Sequence, residues 1–259
     1  MESNHSVALV TGAASGMGRI YARRLATRGI TVAALDLNEE GLAETAQGHA
    51  NIHCFRCDIS SAEEIEARVA EVRVALGDID ELVHAAALMP AHALVDHSNE
   101  KLEFLFQVNF FGTVYMIKSL LPAMLERGSG RMVLFGSIAG VALVPKMGAY
   151  CATKSAVNTY VECLQHEIRG RGVNVHLVCP PAVNTPLIDQ TVATDTPGSI
   201  TEARNSGRLA NPEKIIDAIE RGIRKNRDII YPGEARLLML WKVLLPSLWW
   251  KTVLSFENK

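Results

Sequence analysis

The sequence predicts an α/β fold: a doubly wound parallel sheet of about seven strands with helices on both faces. Two observations carry that reading. Short β-branched runs alternate with helix-length amphipathic segments down the chain, the pattern of right-handed βαβ crossovers. The first of these runs leads directly into a glycine-rich turn that opens a helix. A length of 259 residues suits one α/β domain, so residues 1–259 are read as a single unit.

The elements follow in order. Val7–Thr11 is the first strand, and Gly16–Arg28 is a helix ended by Gly29. Thr31–Asp36 is the second strand, followed by a helix near Glu39–Gln47. Ile52–Cys57 is the third strand. Ser61 caps a helix running to Leu76, with Glu64 completing a capping box. Ile79–His84 is the fourth strand, and Asn99–Leu125 is a long helix stopped by Gly128. Arg131–Phe135 is the fifth strand, Gly148–Arg169 another long helix, and Val173–Val178 the sixth strand. Pro212–Lys225 is helical, and Asp228–Tyr231 is a short seventh strand.

Two segments break the pattern. Residues 184–211 are rich in Thr, Asp, Gly, Ser and Pro and read as a substrate loop or lid. Residues 235–259 form an apolar tail, for which three readings stand open. The tail closes over the substrate pocket, packs at a subunit interface of a homodimer or homotetramer, or lies in a membrane interface, where Trp and Lys are favoured. Burial in the protein or oligomer is preferred. The tail comes nearest to a membrane span, but Lys242, Pro246 and Lys251 interrupt it, and no stretch is expected to reach the ~20 apolar residues a bilayer requires.

A hydrophobic content of 48% is enough for a sizeable core. The net charge of −2 gives no basic footprint for nucleic acid. The five cysteines are an odd set in a long chain and do not read as a disulfide framework. Met-Glu-Ser-Asn-His at the start lacks the basic and apolar regions of a secretory signal. Together these suggest a reducing compartment, the cytoplasm. Cys54-x-x-Cys57 has no second pair beside it and is read as two ordinary thiols; no metal site is expected.

The turn after the first strand reads Thr11-Gly12-Ala13-Ala14-Ser15-Gly16-Met17-Gly18. Gly12 permits the tight turn, Gly16 lets backbone N–H groups approach a pyrophosphate, and Gly18 lets the helix pack close to the sheet. The helix N-terminus then faces the phosphates with its positive end. Asp36 ends the second strand, 18 residues after Gly18. A carboxylate there accepts hydrogen bonds from the adenosine ribose and repels a 2′-phosphate. Leu37 and Asn38 follow it and Ala14 is not basic, so NAD is expected over NADP. Asp58, after the third strand, is placed to receive the adenine amino group.

Tyr150 and Lys154 lie four apart at the start of a predicted helix and share one face. An ammonium beside a phenol favours the phenolate and is expected to lower the tyrosine pKa from its usual ~10. Ser137 ends the fifth strand, at the sheet edge where ligands bind in such folds, and can hold a substrate oxygen. Asn109 sits inside a long helix, where Asn is unfavourable and requires a reason.

Thr11–Gly18, Asp58, Asn109, Ser137 and Tyr150-Cys151-Ala152-Thr153-Lys154 together resemble the short-chain dehydrogenases/reductases, a Rossmann-type family of about 250 residues, along essentially the whole chain. The resemblance implies a tetrad. Tyr150 exchanges the proton, Lys154 binds the nicotinamide ribose, Ser137 positions the carbonyl, and Asn109 holds a water in a proton relay. It also implies cofactor contacts from Ser15, Met17, Leu37, Ile59, Ala85, Ala86, Pro180, Val183 and Thr185. The reaction implied interconverts a secondary alcohol and a ketone.

The chain departs from the family pattern twice. His84-Ala85-Ala86-Ala87 stands where Asn-Asn-Ala-Gly is usual, and a buried, satisfied His84 is expected. Pro180-Pro181 replaces Pro-Gly, as in members resembling ketosphinganine reductases. Leu88, Met89, Ile138, Val141, Leu143, Val144, Met147, Leu187 and Ile188 make the presumed pocket walls apolar, so the expected substrate is lipophilic. Two rivals remain: epimerisation or dehydration on the same tetrad, and a non-catalytic nucleotide-sensing protein on the same fold.

Overall fold

A computed structural model describes residues 6–257. The start of the chain, on which the absence of a secretory signal was judged, lies outside the described residues. The chain forms two compact units. The first comprises Met1–Ala86, Phe111–Phe135 and Cys163–His176; the second comprises Ala87–Phe110, Gly136–Glu162 and Leu177–Lys259.

The elements are β1 (Val7–Thr11), α1 (Gly16–Thr27), β2 (Thr31–Asp36), α2 (Glu39–Ala46), β3 (Ile52–Arg56), α3 (Ala62–Leu76), β4 (Ile79–His84), α4 (Asn99–Phe106), α5 (Gly112–Arg127), β5 (Gly130–Phe135), α6 (Gly148–Glu167), β6 (Val173–Val178), α7 (Pro186–Val192), α8 (Gly198–Asn205), α9 (Pro212–Arg224), β7 (Ile229–Ile230), α10 (Ala235–Leu244) and α11 (Pro246–Glu257). The seven strands form one sheet in the order β3-β2-β1-β4-β5-β6-β7. β1 pairs in parallel with β2 and β4, β2 with β3, β4 with β5, and β6 with β7. The doubly wound parallel sheet is therefore present, with helices connecting its strands.

In the first unit Val7–Val10, Val32–Leu35, Leu82, Val83 and Met132–Leu134 are fully buried. The helices cover them with Tyr21, Ala22 and Leu25 from α1, Ile65, Val69 and Val72 from α3, and Met116, Ile117, Leu120 and Met124 from α5. Continuous apolar burial of this kind is what a parallel sheet covered on both faces requires. β3 is an edge strand and is less covered, with Ile52 buried and His53, Cys54 and Arg56 exposed. Cys57, just after it, is buried.

Two sequence expectations need correcting, and the tail acquires a structure that was left open. Residues 184–211 are not an irregular loop but carry α7 and α8. Pro186 at the first helical position and Pro197 before Gly198 start these helices, and the polar composition masked them. The apolar tail folds as α10 and α11, separated at Leu245. Finally, the continuous helical run Asn99–Arg127 is long and apolar enough to cross a membrane by length and composition, although 56% of its apolar window is buried, as in a core helix. That run also contains a π-helical turn, Gln107–Phe111, centred on Asn109.

Candidate active site

The chain leaves β1 toward β2 and β3, then returns to the other side of β1 as β4. This reversal, at the carboxyl ends of β1 and β4, is where open α/β sheets bind ligands. The loop after β1 is built for close approach. Gly12 has φ +66°, and a Cβ there would lie 2.8 Å from the Ala86 backbone nitrogen. A Cβ on Gly18 would lie 2.1 Å from the Gly12 carbonyl oxygen. Gly16 has φ +51°. Ser15 is the N-cap of α1, but its side chain makes no capping hydrogen bond, so the first N–H groups are left for another acceptor. A dinucleotide pyrophosphate fits such a cradle.

Asp36 faces the same loop. Its Oδ2 accepts from Ala14 N at 3.1 Å and its Oδ1 from Asn38 N at 3.0 Å. Leu37 beside it is half exposed. Asp58 Oδ1 accepts from Ser60 N at 2.8 Å and Ser60 Oγ at 2.7 Å, which fixes the carboxylate beside buried Ile59. One basic side chain that the sequence reading missed stands at this end. The Arg19 guanidinium donates to Ala14 O and, at 3.2 Å, to Gly41 O, and pairs with Glu44 at 2.8 Å. Its place in the first turns of α1, four residues after Ser15, is the signal that could have revealed it.

His84 is buried, with both ring nitrogens bonded: Nδ1 to Thr11 Oγ1 at 2.8 Å and Nε2 to Thr113 Oγ1 at 3.1 Å. Thr11 Oγ1 also accepts from Ala86 N at 3.3 Å. The network fits a neutral imidazole that carries its proton on Nε2 and accepts from the Thr11 hydroxyl. His84 thus ties β1 and β4 to α5.

Asn109, Ser137, Tyr150 and Lys154 all belong to the second unit and are all buried. The π turn answers the question Asn109 raised. An extra residue in the turn re-aims the side chain, and Asn109 Nδ2 donates to Leu88 O at 2.9 Å and Thr153 Oγ1 at 3.1 Å. Its Oδ1 accepts from Leu88 N at 2.8 Å. Ser137 caps a short 3₁₀ turn, Ile138–Gly140, and its hydroxyl also bonds to the Tyr150 phenol. Ile138 N donates to Pro180 O at 3.1 Å. Val183 makes a single β-bridge with Ala210, and Thr185 is the N-cap of α7.

Around Tyr150 the packing is apolar. Leu88, Met89, Leu143, Val144, Met147, Leu187 and Ile188, seven of the nine expected wall residues, cluster with it. Ile138 instead joins the cluster beneath α10 and α11, and Val141 joins neither. The 184–211 segment is pinned to this region. Gln190 Oε1 accepts from Met89 N at 2.7 Å, and Thr194 Oγ1 from Ala91 N at 3.0 Å.

The sequence reading also missed Asn158. It lies four residues beyond Lys154, so Tyr150, Lys154 and Asn158 repeat at helical spacing on α6. Asn158 Nδ2 donates to Ser137 O at 3.0 Å, and Oδ1 accepts from Ser137 N at 3.3 Å. This two-handed grip sets the backbone that carries the Ser137 hydroxyl.

The expected activation of Tyr150 by Lys154 is not what the structure shows. Burial pushes the Tyr150 phenol above its ordinary range, and the Ser137 hydrogen bond opposes this only in part. Lys154 Nζ lies 6.0 Å from the ring centroid, and burial lowers its own pKa to about 8. In both groups desolvation is the largest cause of the shift. A stability consequence follows. The unfolded chain holds the Lys154 proton up to its ordinary pKa of 10.5, the folded chain only to about 8. The cost of a buried ammonium is complete below pH 8 and fades as pH rises to 10.5. Lys154→Met removes that cost. Urea unfolding should show the variant's stability relative to wild type falling by roughly 3 kcal/mol across that window. A pH-independent difference would show that Lys154 carries no such penalty.

Comparison with known proteins gives three findings. Residues 6–196 match the short chain dehydrogenase family. The chain is 30% identical over 249 residues to estradiol 17-beta-dehydrogenase 11 of Rattus norvegicus, covering 93% of this chain and 80% of that protein. Among solved structures, a short chain dehydrogenase/reductase of Burkholderia phymatum in complex with NAD matches at TM-score 0.83 and 27% identity, over 95% of this chain and 96% of the other. A serine dehydrogenase complexed with NADP+ matches at TM-score 0.78 and 26% identity, over 87% of this chain and 93% of the other.

Proposed function

We propose, from the premise that the chain belongs to the short-chain dehydrogenase family, that it is an NAD(H)-dependent enzyme interconverting a lipophilic secondary alcohol and its ketone. The observation that carries this reading is Tyr150, bonded to Ser137 and set in an apolar cluster. When bound, the nicotinamide supplies or accepts the hydride. Ser137 orients the substrate oxygen. In reduction the neutral Tyr150 phenol would give its proton to that oxygen and be left as phenolate; in oxidation the phenolate would take the proton back from the alcohol. Lys154 binds the nicotinamide ribose. Both Nδ2 hydrogens of Asn109 are used within the protein, on Leu88 O and Thr153 Oγ1, so the side chain's part in a proton relay would be to fix that turn.

A lipophilic substrate is favoured by the seven apolar side chains around Tyr150, and the rat relative carries a steroid in its name. The preference for NAD rests on Asp36. Arg19 does not offset it, because its guanidinium is committed to Ala14, Gly41 and Glu44. All five cysteines are free thiols, which supports a reducing, cytoplasmic setting. The expected homodimer or homotetramer is sized by light scattering.

The test is a panel of lipophilic alcohols and ketones with NAD(H) and NADP(H), followed by nicotinamide absorbance, on wild type and Asp36→Ser. Wild type should turn over with NAD at least about tenfold better than with NADP. Asp36→Ser should narrow that ratio by about ten- to a hundredfold, as a carboxylate facing a phosphate is removed. Binding without any net change in the nicotinamide across the panel would sink the dehydrogenase reading in favour of epimerisation, dehydration or nucleotide sensing.

A further inference from the structure

Helices α10 and α11 carry an unusual charge and apolar pattern. From Ala235 to Phe256 there are three cations, Arg236, Lys242 and Lys251, and no Asp or Glu, within a chain of net charge −2. The inner side is firmly packed. Ala235, Trp249 and Val253 are buried with Ile138 and Ala142, and Trp249 Nε1 donates to Leu143 O at 3.0 Å. The Trp241 and Trp249 rings meet edge-on at 5.5 Å.

The outer side is bare. Every residue from Val243 to Leu248 is exposed, with Leu244 at 69%. Seven of the fourteen exposed large hydrophobic side chains among the described residues lie in this pair of helices and the elbow between them. Such a concentration marks a surface that meets something apolar. Lys242 Nζ sits 5.5 Å from the Trp250 ring centroid, joining a cation and an indole of the kind favoured at headgroup depth.

We propose that α10 and α11 form an interfacial anchor that lays this elbow on a lipid surface bearing anionic headgroups. Length decides between lying in and crossing the bilayer. Ten and twelve residues give helices of about 15 and 18 Å, well short of a hydrocarbon core of about 30 Å. The helices meet at 116°, so they do not add into one span. Charge decides between lipid and a second copy. A two-fold contact sets the patch against itself, where Arg236, Lys242 and Lys251 find no Asp or Glu from Ala235 to Phe256 to pair with, whereas an anionic surface neutralises them. The inner side packs on the segment that follows Ser137, so the anchor also holds that segment at the lipid surface. If the dehydrogenase reading stands, a lipophilic substrate has a short route to the site from the lipid; the anchor itself does not depend on that reading.

The full chain is mixed with vesicles of phosphatidylcholine alone and of phosphatidylcholine with phosphatidylserine, then sedimented. All three tryptophans lie in this segment, so intrinsic tryptophan emission reports it directly. The chain should sediment with the mixed vesicles, with blue-shifted emission and binding that weakens as salt rises. Leu244→Asp with Leu245→Asp should lose about tenfold or more in affinity at an unchanged unfolding midpoint. Lys242→Glu with Lys251→Glu should lose the preference for phosphatidylserine. Failure to sediment with either vesicle would overturn the proposal. So would unchanged binding by the leucine variant, or a wild-type dimer in light scattering that the leucine variant splits. None of these readouts involves turnover.

Discussion

Tyr150→Phe should lower turnover by about a thousandfold or more while dinucleotide affinity stays within about twofold of wild type. The phenol oxygen is the one atom removed. Tyr150 is buried in an apolar cluster, so the ring of Phe keeps the packing with Met89, Met147 and Ile188. What is lost is the bond to Ser137 and the phenol proton offered to a substrate oxygen. The Ser137 hydroxyl still accepts from Ala139 N at 3.1 Å, so the 3₁₀ turn should persist. Steady-state kinetics with the best substrate of the panel, and dinucleotide titration by calorimetry, separate the two effects. Full activity in the variant would remove Tyr150 from the proton step. Lost binding together with lost activity would show a structural failure.

Gly18→Ala should be nearly as damaging, for a steric reason. One added methyl group would lie 2.1 Å from the Gly12 carbonyl oxygen and 2.6 Å from its carbon, both backbone atoms that cannot swing aside. Either α1 moves off β1 or the loop opens, and both spoil the cradle. The expected cost is about 4 kcal/mol, at the upper end for a single substitution. That corresponds to a fall of about 8–16 °C in unfolding temperature for a chain of this size. Dinucleotide binding should be lost with it. The variant also tests whether residues 1–259 unfold as one domain. Gly18 belongs to the first unit, while all three tryptophans belong to the second. If the domain is single, the tryptophan-detected transition shifts with the variant. An unmoved tryptophan transition would show that the units unfold separately.

The sheet was legible because its strands are short apolar runs between helix-length segments; Val7–Thr11, Thr31–Asp36, Ile79–His84 and Val173–Val178 match residue for residue. The glycine loop was legible because its spacing is a backbone requirement. Asn109 was visible as an anomaly, a poor helix former inside a helix, but not as a π turn, since no residue type encodes that turn. α7 and α8 were hidden by Thr, Ser, Asp and Pro, which locally favour turns and are overridden here by bonds to Met89 and Ala91. α10 was hidden for the opposite reason: its run of Leu, Met, Trp and Val leaves little amphipathic period to read, and Pro246 cuts it from α11. The effect of Lys154 on Tyr150 was misjudged because spacing shows that two groups are near, not how dry their surroundings are. Asn158 was overlooked because a helical asparagine carries no signal until its partner, the Ser137 backbone, is known.

The grip of Asn158 on Ser137 constrains how this sequence can drift. A Cβ at Gly136 would lie 2.0 Å from Asn158 Oδ1, and one at Gly140 would lie 2.4 Å from Asn158 Nδ2. Neither glycine can be replaced while Asn158 holds its place. Asn158 cannot be lost first without stranding a buried N–H and a buried carbonyl on Ser137, each worth about 1–3 kcal/mol. Positions 136, 140 and 158 are therefore epistatic. Every single step away from the present trio leads downhill, and Gly140 is held further by the Lys154 backbone, which a Cβ there would meet at 2.9 Å.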